Sequence, residues 1–332
     1  MSASPLDTPA ARRRADRAAI RRARTASRNT DWASAQERSN AVTMRLMVWI
    51  ALVCGRRVAR WVLHPITLYF LLFAAEPRRH SARYLGRALG RPARWRDLYQ
   101  HFHHFAAIVL DRVYLLHGRM DLFDMNAVGE DLVFATLGER RGAFLLGSHI
   151  GSFEVLHAVG KTHHGLRLAM IMYPDNARLI NNALAAIAPD ARPEIIALGR
   201  IDSTLAVRDW LDGGGLAGML GDRSLPGESQ RSGTVRVPFL GHEASFSDGP
   251  FRLATLLRRR VFFMVGLYGG GNHYDVIFEE LADFSERLDD GPAREERIRA
   301  GVIAYAARLE ALCREQPYNW FNFFDFWHED PG

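Results

Sequence analysis

Lysine is almost missing from this 332-residue chain. Lys161 stands alone, so the 43 basic residues are otherwise arginine and the formal charge of +6 is carried by guanidinium groups. Cysteine is scarce as well. Cys54 and Cys313 lie far apart with no metal-ligand spacing, which excludes a disulfide framework or a cysteine-built metal centre and fits a reducing cytoplasmic compartment. No uninterrupted apolar run reaches the ~20 residues that a spanning helix needs. The first forty or so residues are polar, so no secretory signal is expected there. There is no internal repeat, and no nucleic-acid motif accompanies the arginines, so nucleic acid is not an expected partner. The turn Gly147-Ser148-His149-Ile150-Gly151 has histidine where a nucleophile elbow requires serine, which argues against an acyl-serine intermediate.

What is present is enough for one large α/β core or two domains: apolar residues make up 48% of the chain. Residues 1–40 are polar and carry Arg12, Arg13, Arg14, Arg17, Arg21, Arg22 and Arg24. Like charge and low hydrophobicity favour a disordered tail there, able to meet anionic headgroups. Two apolar runs follow, Met44–Cys54 and Trp61–Ala75, interrupted by Arg56, Arg57 and Arg60. Trp49, Trp61 and Tyr69 beside those arginines suit a bilayer interface, and the arginine bias places this end on the cytoplasmic side. The same runs could instead form a buried helical hairpin.

Residues 42–118 read as helices, with Pro65, Pro77 and Pro92 as breaks. From Gly142 onward short apolar runs alternate with helical stretches. Strands are expected at Ala143–Gly147, Leu166–Met172, Glu194–Leu198 and Leu216–Gly221, with helices between them at Ser152–His163, Ala177–Ala188 and Ser203–Leu211. Asp222–Thr234 reads as a long polar loop. Val261–Leu267 and Tyr274–Glu279 read as paired strands about Gly269-Gly270-Gly271, and Pro292–Glu315 as a long amphipathic helix. This alternation predicts an α/β fold with a mainly parallel central sheet flanked by helices. The expected divisions are a basic tail (1–40), a helical membrane-associating region (41–118) and an α/β core (119–332).

The richest segment is Phe144-Leu-Leu-Gly-Ser-His149-Ile-Gly-Ser-Phe-Glu154. It reads as strand, tight turn and helix start. In one continuous helix His149 and Glu154 would face different sides. With His149 in the turn and Glu154 in the first helical turn, the carboxylate can fold back on the imidazole. A carboxylate-oriented imidazole is a general base for an alcohol or amine nucleophile. Free amides around Ile150–Phe153, at the helix N-terminus, could hold an oxyanion.

The spacing H-x-x-x-x-E in this glycine-rich setting resembles the lipid A biosynthesis late acyltransferases, a branch of the glycerolipid acyltransferase superfamily. Four further blocks agree in order. They are Leu216-Ala-Gly-Met-Leu-Gly-Asp222-Arg223, Val235-Arg-Val-Pro-Phe-Leu-Gly241, Asp248-Gly-Pro250-Phe-Arg-Leu-Ala254 and Pro317-Tyr-Asn-Trp320-Phe321. The match runs over roughly residues 45–327. Arg223 stands where that family usually has glutamine, Ile171–Pro174 lacks an arginine often found before the proline, and the C-terminus lacks the family's basic segment; these departures leave the acceptor open.

The resemblance implies a glycerolipid acyltransferase-like fold at the cytoplasmic face of the bacterial inner membrane. It implies transfer of a fatty acyl group from acyl carrier protein or coenzyme A to a hydroxyl or amine of a lipid-like acceptor. His149 would be the base and Glu154 its partner; no metal or redox cofactor is implied. Ser148, Gly151, Ser152, Arg200, Asp222 and Arg223 are candidates for substrate binding, with Asp222 near the active site. A lysophospholipid acyltransferase, or an inactive membrane adaptor with the same fold, are the alternatives.

Three other patterns are weaker. Gly213-x-Gly215-x-x-Gly218 has the dinucleotide spacing, but a helix precedes it and a strand follows, the reverse of the required order. His101, His103 and His104 share an aromatic stretch without carboxylates at ligand spacing, so packing is expected rather than a metal. Arg231 and Arg236 could reach an anionic substrate group or form surface ion pairs.

Overall fold

A computed structural model describes residues 47–138, 141–155, 166–174, 178, 181, 184, 187–188, 194–199, 201–222, 233–287 and 290–327. The basic tail, and the sites expected at Arg200, Arg223 and Arg231, lie outside those residues. The chain divides into two units, Met1–Ile50 and Ala51–Gly332.

Three helices lead the fold: α1 (Met47–Phe73), α2 (Ala75–Ala88) and α3 (Trp95–Leu116). After them come β1 (Asp124–Val128), α4 (Glu130–Gly138), β2 (Phe144–Gly147), β3 (Leu168–Met172), β4 (Glu194–Ala197), α5 (Ile201–Asp212) and β5 (Leu216–Leu220). The remaining elements are β6 (Thr234–Phe239), β7 (His242–Ser247), α6 (Gly249–Leu257), β8 (Arg260–Gly270), β9 (His273–Asp283) and α7 (Gly291–Glu315).

The main sheet has seven strands in the order β1-β9-β8-β2-β5-β3-β4. Strands β8, β2, β5, β3 and β4 run parallel, while β9 returns antiparallel to β8 and β1 pairs parallel to β9. The fold is thus α/β, with a mostly parallel mixed sheet flanked by helices. Alternation along β2 shows how both faces are covered. Phe144 and Leu146 join one core cluster with Val302, Tyr305 and Leu309 of α7. Leu145 points the other way and joins a second cluster with Ala107, Ile108 and Tyr114 of α3. Strands buried on both faces read as continuous apolar runs, which is why β2, β5 and β8 stand out in the sequence.

Several expectations change. Pro65 does not break a helix: it lies within α1. Of the three arginines that interrupt the apolar runs, Arg56 and Arg60 turn inward and Arg57 is exposed. Arg56 donates to both carboxylate oxygens of the buried Asp111, at 2.7 and 2.8 Å. Arg60 donates to the Tyr268 hydroxyl at 2.9 Å. Ala59, Leu63, Thr67 and Leu71, spaced four apart, form the buried stripe of α1. The outward face is the apolar one. Trp61 is 76% exposed, Phe73 72% and Tyr69 58%. Among the described residues no single helix is long and apolar enough to cross a membrane; α1 and α2 meet that test only together, bent by 94°. Thr234–Phe239, to which no element was assigned beyond the loop end at Thr234, is one strand of a hairpin with His242–Ser247. Strand β1 and helix α4 were not expected.

Candidate active site

Strands β2 and β5 are parallel neighbours in which Gly147 pairs with Leu220. Two steps beyond that pair, the chain carries His149 on one side and Asp222 on the other. The register therefore sets them side by side at the C-terminal edge of the sheet, where open α/β sheets bind ligands. Asp222 Oδ1 lies 2.9 Å from His149 Nδ1, and Oδ2 accepts the His149 backbone N–H at 2.8 Å. The Trp320 indole N–H also donates to Oδ2, at 2.9 Å.

Asp222 is buried. Burial alone would raise its pKa. The charge and hydrogen bonds of His149, with the bond from Trp320, outweigh it, and the carboxyl sits below its ordinary value. An ionised carboxylate only accepts, so Nδ1 carries the imidazole proton. The lone pair is then on Nε2, which has no hydrogen-bond partner among the described residues. The His149 side chain is 29% exposed. This is an imidazole oriented at one nitrogen by a buried carboxylate and available at the other.

The partner expected for His149 was Glu154, and here the structure differs. Glu154 Oε1 lies 2.6 Å from Arg112 Nε, and Oε2 accepts the Ser152 hydroxyl at 3.2 Å. Glu154 therefore ties the helix start after the turn to α3. It holds the frame around His149, and Asp222 occupies the orienting position. The difference arises because strand register delivers Asp222 to Nδ1, while the helix turn sends Glu154 toward Arg112.

The glycines and serines of the turn are also accounted for. Gly151 has φ +67, and a Cβ there would sit 2.0 Å from the Gly266 carbonyl oxygen. Its N–H donates to the Asn319 carbonyl at 2.9 Å, and the Ser152 N–H donates to Gly266 at 2.8 Å. Those two amides are committed to the scaffold, so neither serves as the oxyanion donor expected at this helix N-terminus. Ser148 stands next to His149, with its hydroxyl oxygen buried. Arg236 is exposed on β6. Gly151→Ala should destabilise the fold by on the order of 3 kcal/mol, since it combines a left-handed backbone with a main-chain clash. Thermal unfolding checks this: an unchanged midpoint would mean the turn does not need glycine.

The C-terminal segment completes the site. Ile150 bridges antiparallel to Trp320, and Phe321 N–H donates to the His149 carbonyl at 2.9 Å. Asn319 acts as a surrogate strand: its amide group exchanges hydrogen bonds with the Tyr268 backbone at 2.9 and 3.1 Å. Trp320 is fully packed, edge-on to Tyr84 and Phe239. Its carbonyl oxygen accepts from His101 Nε2 at 2.8 Å, and His101 Nδ1 lies 2.7 Å from the Ser81 hydroxyl. Because a carbonyl only accepts, Nε2 bears a proton, and with Nδ1 accepting from the Ser81 hydroxyl the ring is neutral. A sequence signal existed in Pro317-Tyr-Asn-Trp-Phe, but nothing in it says which indole meets which carboxylate.

Both ring nitrogens of His101 are thus engaged in packing and positioning. Among the described residues no group of three or more His, Cys, Asp or Glu is placed to hold a metal ion. Burial pushes His101 down to about 3, and burial with the neighbouring His103 and Arg60 charges pushes His104 down to about 4. In the unfolded chain both protonate near 6.5. Between those values the unfolded state binds more protons. The contribution to stability is therefore complete above 6.5 and lost as pH falls, by ~1 kcal/mol per pH unit per histidine. Denaturant midpoints should fall between about pH 7 and 5, and His101→Gln should flatten that slope. A wild-type midpoint flat over the range would contradict it.

No family model matches the chain, and no curated protein matches it.

Proposed function

We propose that this protein is a membrane-associated acyltransferase of the lipid A late acyltransferase type, working at the cytoplasmic face of a bacterial inner membrane. The observation that carries the reading is the His149–Asp222 pair, with Nδ1 tied to a buried carboxylate and Nε2 open. In the proposed reaction, Nε2 removes the proton from an acceptor hydroxyl or amine as that atom attacks the thioester carbonyl of acyl carrier protein or acyl coenzyme A. Asp222 stabilises the imidazolium. The tetrahedral intermediate then collapses, the C–S bond breaks, and the imidazolium returns its proton to the departing thiolate. These steps call for no metal or redox cofactor. The resemblance in five ordered blocks supports thioester-to-lipid transfer over other base-catalysed chemistry.

The outward face of α1 supports contact with a bilayer. A contiguous apolar helix face on a protein surface marks an interaction site, and its aromatic residues suit the interface. Trp61→Ser with Phe73→Ser should weaken liposome binding by about tenfold or more, given what a buried aromatic contributes. Flotation with vesicles measures this; unchanged binding would remove α1 from the membrane contact. Acyl transfer from a labelled thioester to a lipid extract by purified protein tests the activity itself, and separates an enzyme from an adaptor of the same fold.

A further inference from the structure

At the other end of β2 the chain builds a second, strongly basic feature. A small, partly open cleft is lined by Arg141, Arg258, Arg259 and Arg260, with Thr136 and Ser285 beside them. We propose that this cleft binds a tetrahedral oxyanion, the phosphate group of a small molecule or of a lipid.

The backbone gathers the four guanidiniums. Helix α6 ends at Arg258, which takes the left-handed conformation at φ 53, and the chain turns through Arg259 directly into β8. Gly142 brings the Arg141 segment in: a Cβ there would sit 2.2 Å from the Gly215 carbonyl oxygen. Strand β2 pairs with β8 from its first residue, so the segments leading into both strands lie next to each other.

Charge is left over. Arg259 contacts Asp212, and Arg260 pairs with Asp283 at 3.0 Å while donating to the Thr136 hydroxyl at 3.3 Å. Arg141 and Arg258 have no ion-pair partner among the described residues. Arg259 is only 13% exposed, and its Nε is buried without a hydrogen-bond acceptor among those residues. Among the described residues Arg141 and Arg258 thus keep uncompensated charge, and Arg259 has an idle buried donor. Guanidinium forks match the paired oxygens of phosphate, and several such forks around one cleft favour a polyvalent oxyanion over a single carboxylate.

The site is separate from His149. They lie at opposite ends of β2, at least ~13 Å apart for four residues of strand. The proposal is therefore independent of the acyl-transfer reading. The plain alternative is that Arg258–Arg260 only complement the C-terminal dipole of α6. That role would stabilise the protein whether or not an anion is present.

The test uses the full-length purified protein and sulfate, which stays a dianion across the working pH range. Sulfate at constant ionic strength should raise the unfolding midpoint above the chloride control, because a ligand of the folded state alone stabilises it by mass action. Calorimetric titration of the wild type reads the same binding without any variant. Arg141→Gln with Arg258→Gln removes two exposed side chains and should raise the sulfate dissociation constant at least ~tenfold. Glycerol 3-phosphate and phosphatidic acid vesicles then distinguish a soluble from a lipid source, by which of the two depends on these arginines. The proposal is overturned if sulfate acts no more than chloride on the wild type. It is overturned equally if the double variant keeps the full sulfate response, or loses stability by the same amount at every sulfate concentration.

Discussion

Asp222→Asn should lower acyl transfer by ~10²–10⁴-fold, whereas Glu154→Gln should lower it far less. An amide at position 222 can present an N–H toward Nδ1. That disfavours the Nδ1-protonated tautomer, and the proton moves to Nε2, where the reaction needs a lone pair. The amide also cannot stabilise the imidazolium. Glu154→Gln keeps an oxygen for the Ser152 hydroxyl and for Arg112, and loses only the charge of an ion pair outside hydrogen-bonding reach of His149. Initial rates on one thioester donor, with folding verified by circular dichroism, give the ratio. Equal losses in the two variants would return Glu154 to the place that sequence reasoning assigned to it.

His149→Ala should remove transfer altogether while leaving the fold and liposome binding intact. Its imidazole lies at the surface end of the sheet, and the elements that hold the turn are backbone contacts that alanine retains. These are the Gly151 N–H to Asn319, the Phe321 N–H to the His149 carbonyl, and the residue-149 N–H to Asp222. The variant leaves Asp222 buried with fewer partners, so a modest loss of stability, about 1–3 kcal/mol, should accompany the loss of activity. Parallel unfolding curves and rate measurements separate the two effects. A folded variant with near-normal rates would exclude His149 as the base.

Much of the scaffold was legible because its strands are buried on both faces. Phe144–Leu146, Leu216–Leu220 and Val261–Leu267 are continuous apolar runs, and runs of that length alternating with helical stretches have few other solutions. The long helix α7 was legible from its periodicity. Strand β1 escaped because its residues are at most half-buried, so it lacks a core signature. The hairpin of β6 and β7 escaped because Arg236, Pro238 and Glu243 on its exposed face leave too short an apolar alternation to mark a strand. Helix α1 was read as two pieces because Arg56 and Arg60 look like breaks in an apolar segment. Asp111, distant in sequence, pairs with Arg56, and the equally distant Tyr268 hydroxyl accepts a hydrogen bond from Arg60.

The site was legible at His149 and not at its partner. A carboxylate five residues away is visible by spacing. A carboxylate 73 residues away becomes a neighbour only once β2 and β5 are known to pair in register. The same holds for Trp320, whose indole reaches Asp222 across a bridge between the turn and the C-terminal segment.

The most direct test of the central claim is a single-turnover assay on purified protein. A labelled fatty acyl thioester, on acyl carrier protein or coenzyme A, is incubated with bacterial lipid extract, and label in the lipid fraction is followed by mass spectrometry. The account predicts a new acylated lipid with the wild type, none with His149→Ala, and a strongly reduced rate with Asp222→Asn. Label that stays on the thioester with the wild type across both donors, or that transfers equally with His149→Ala, would contradict it.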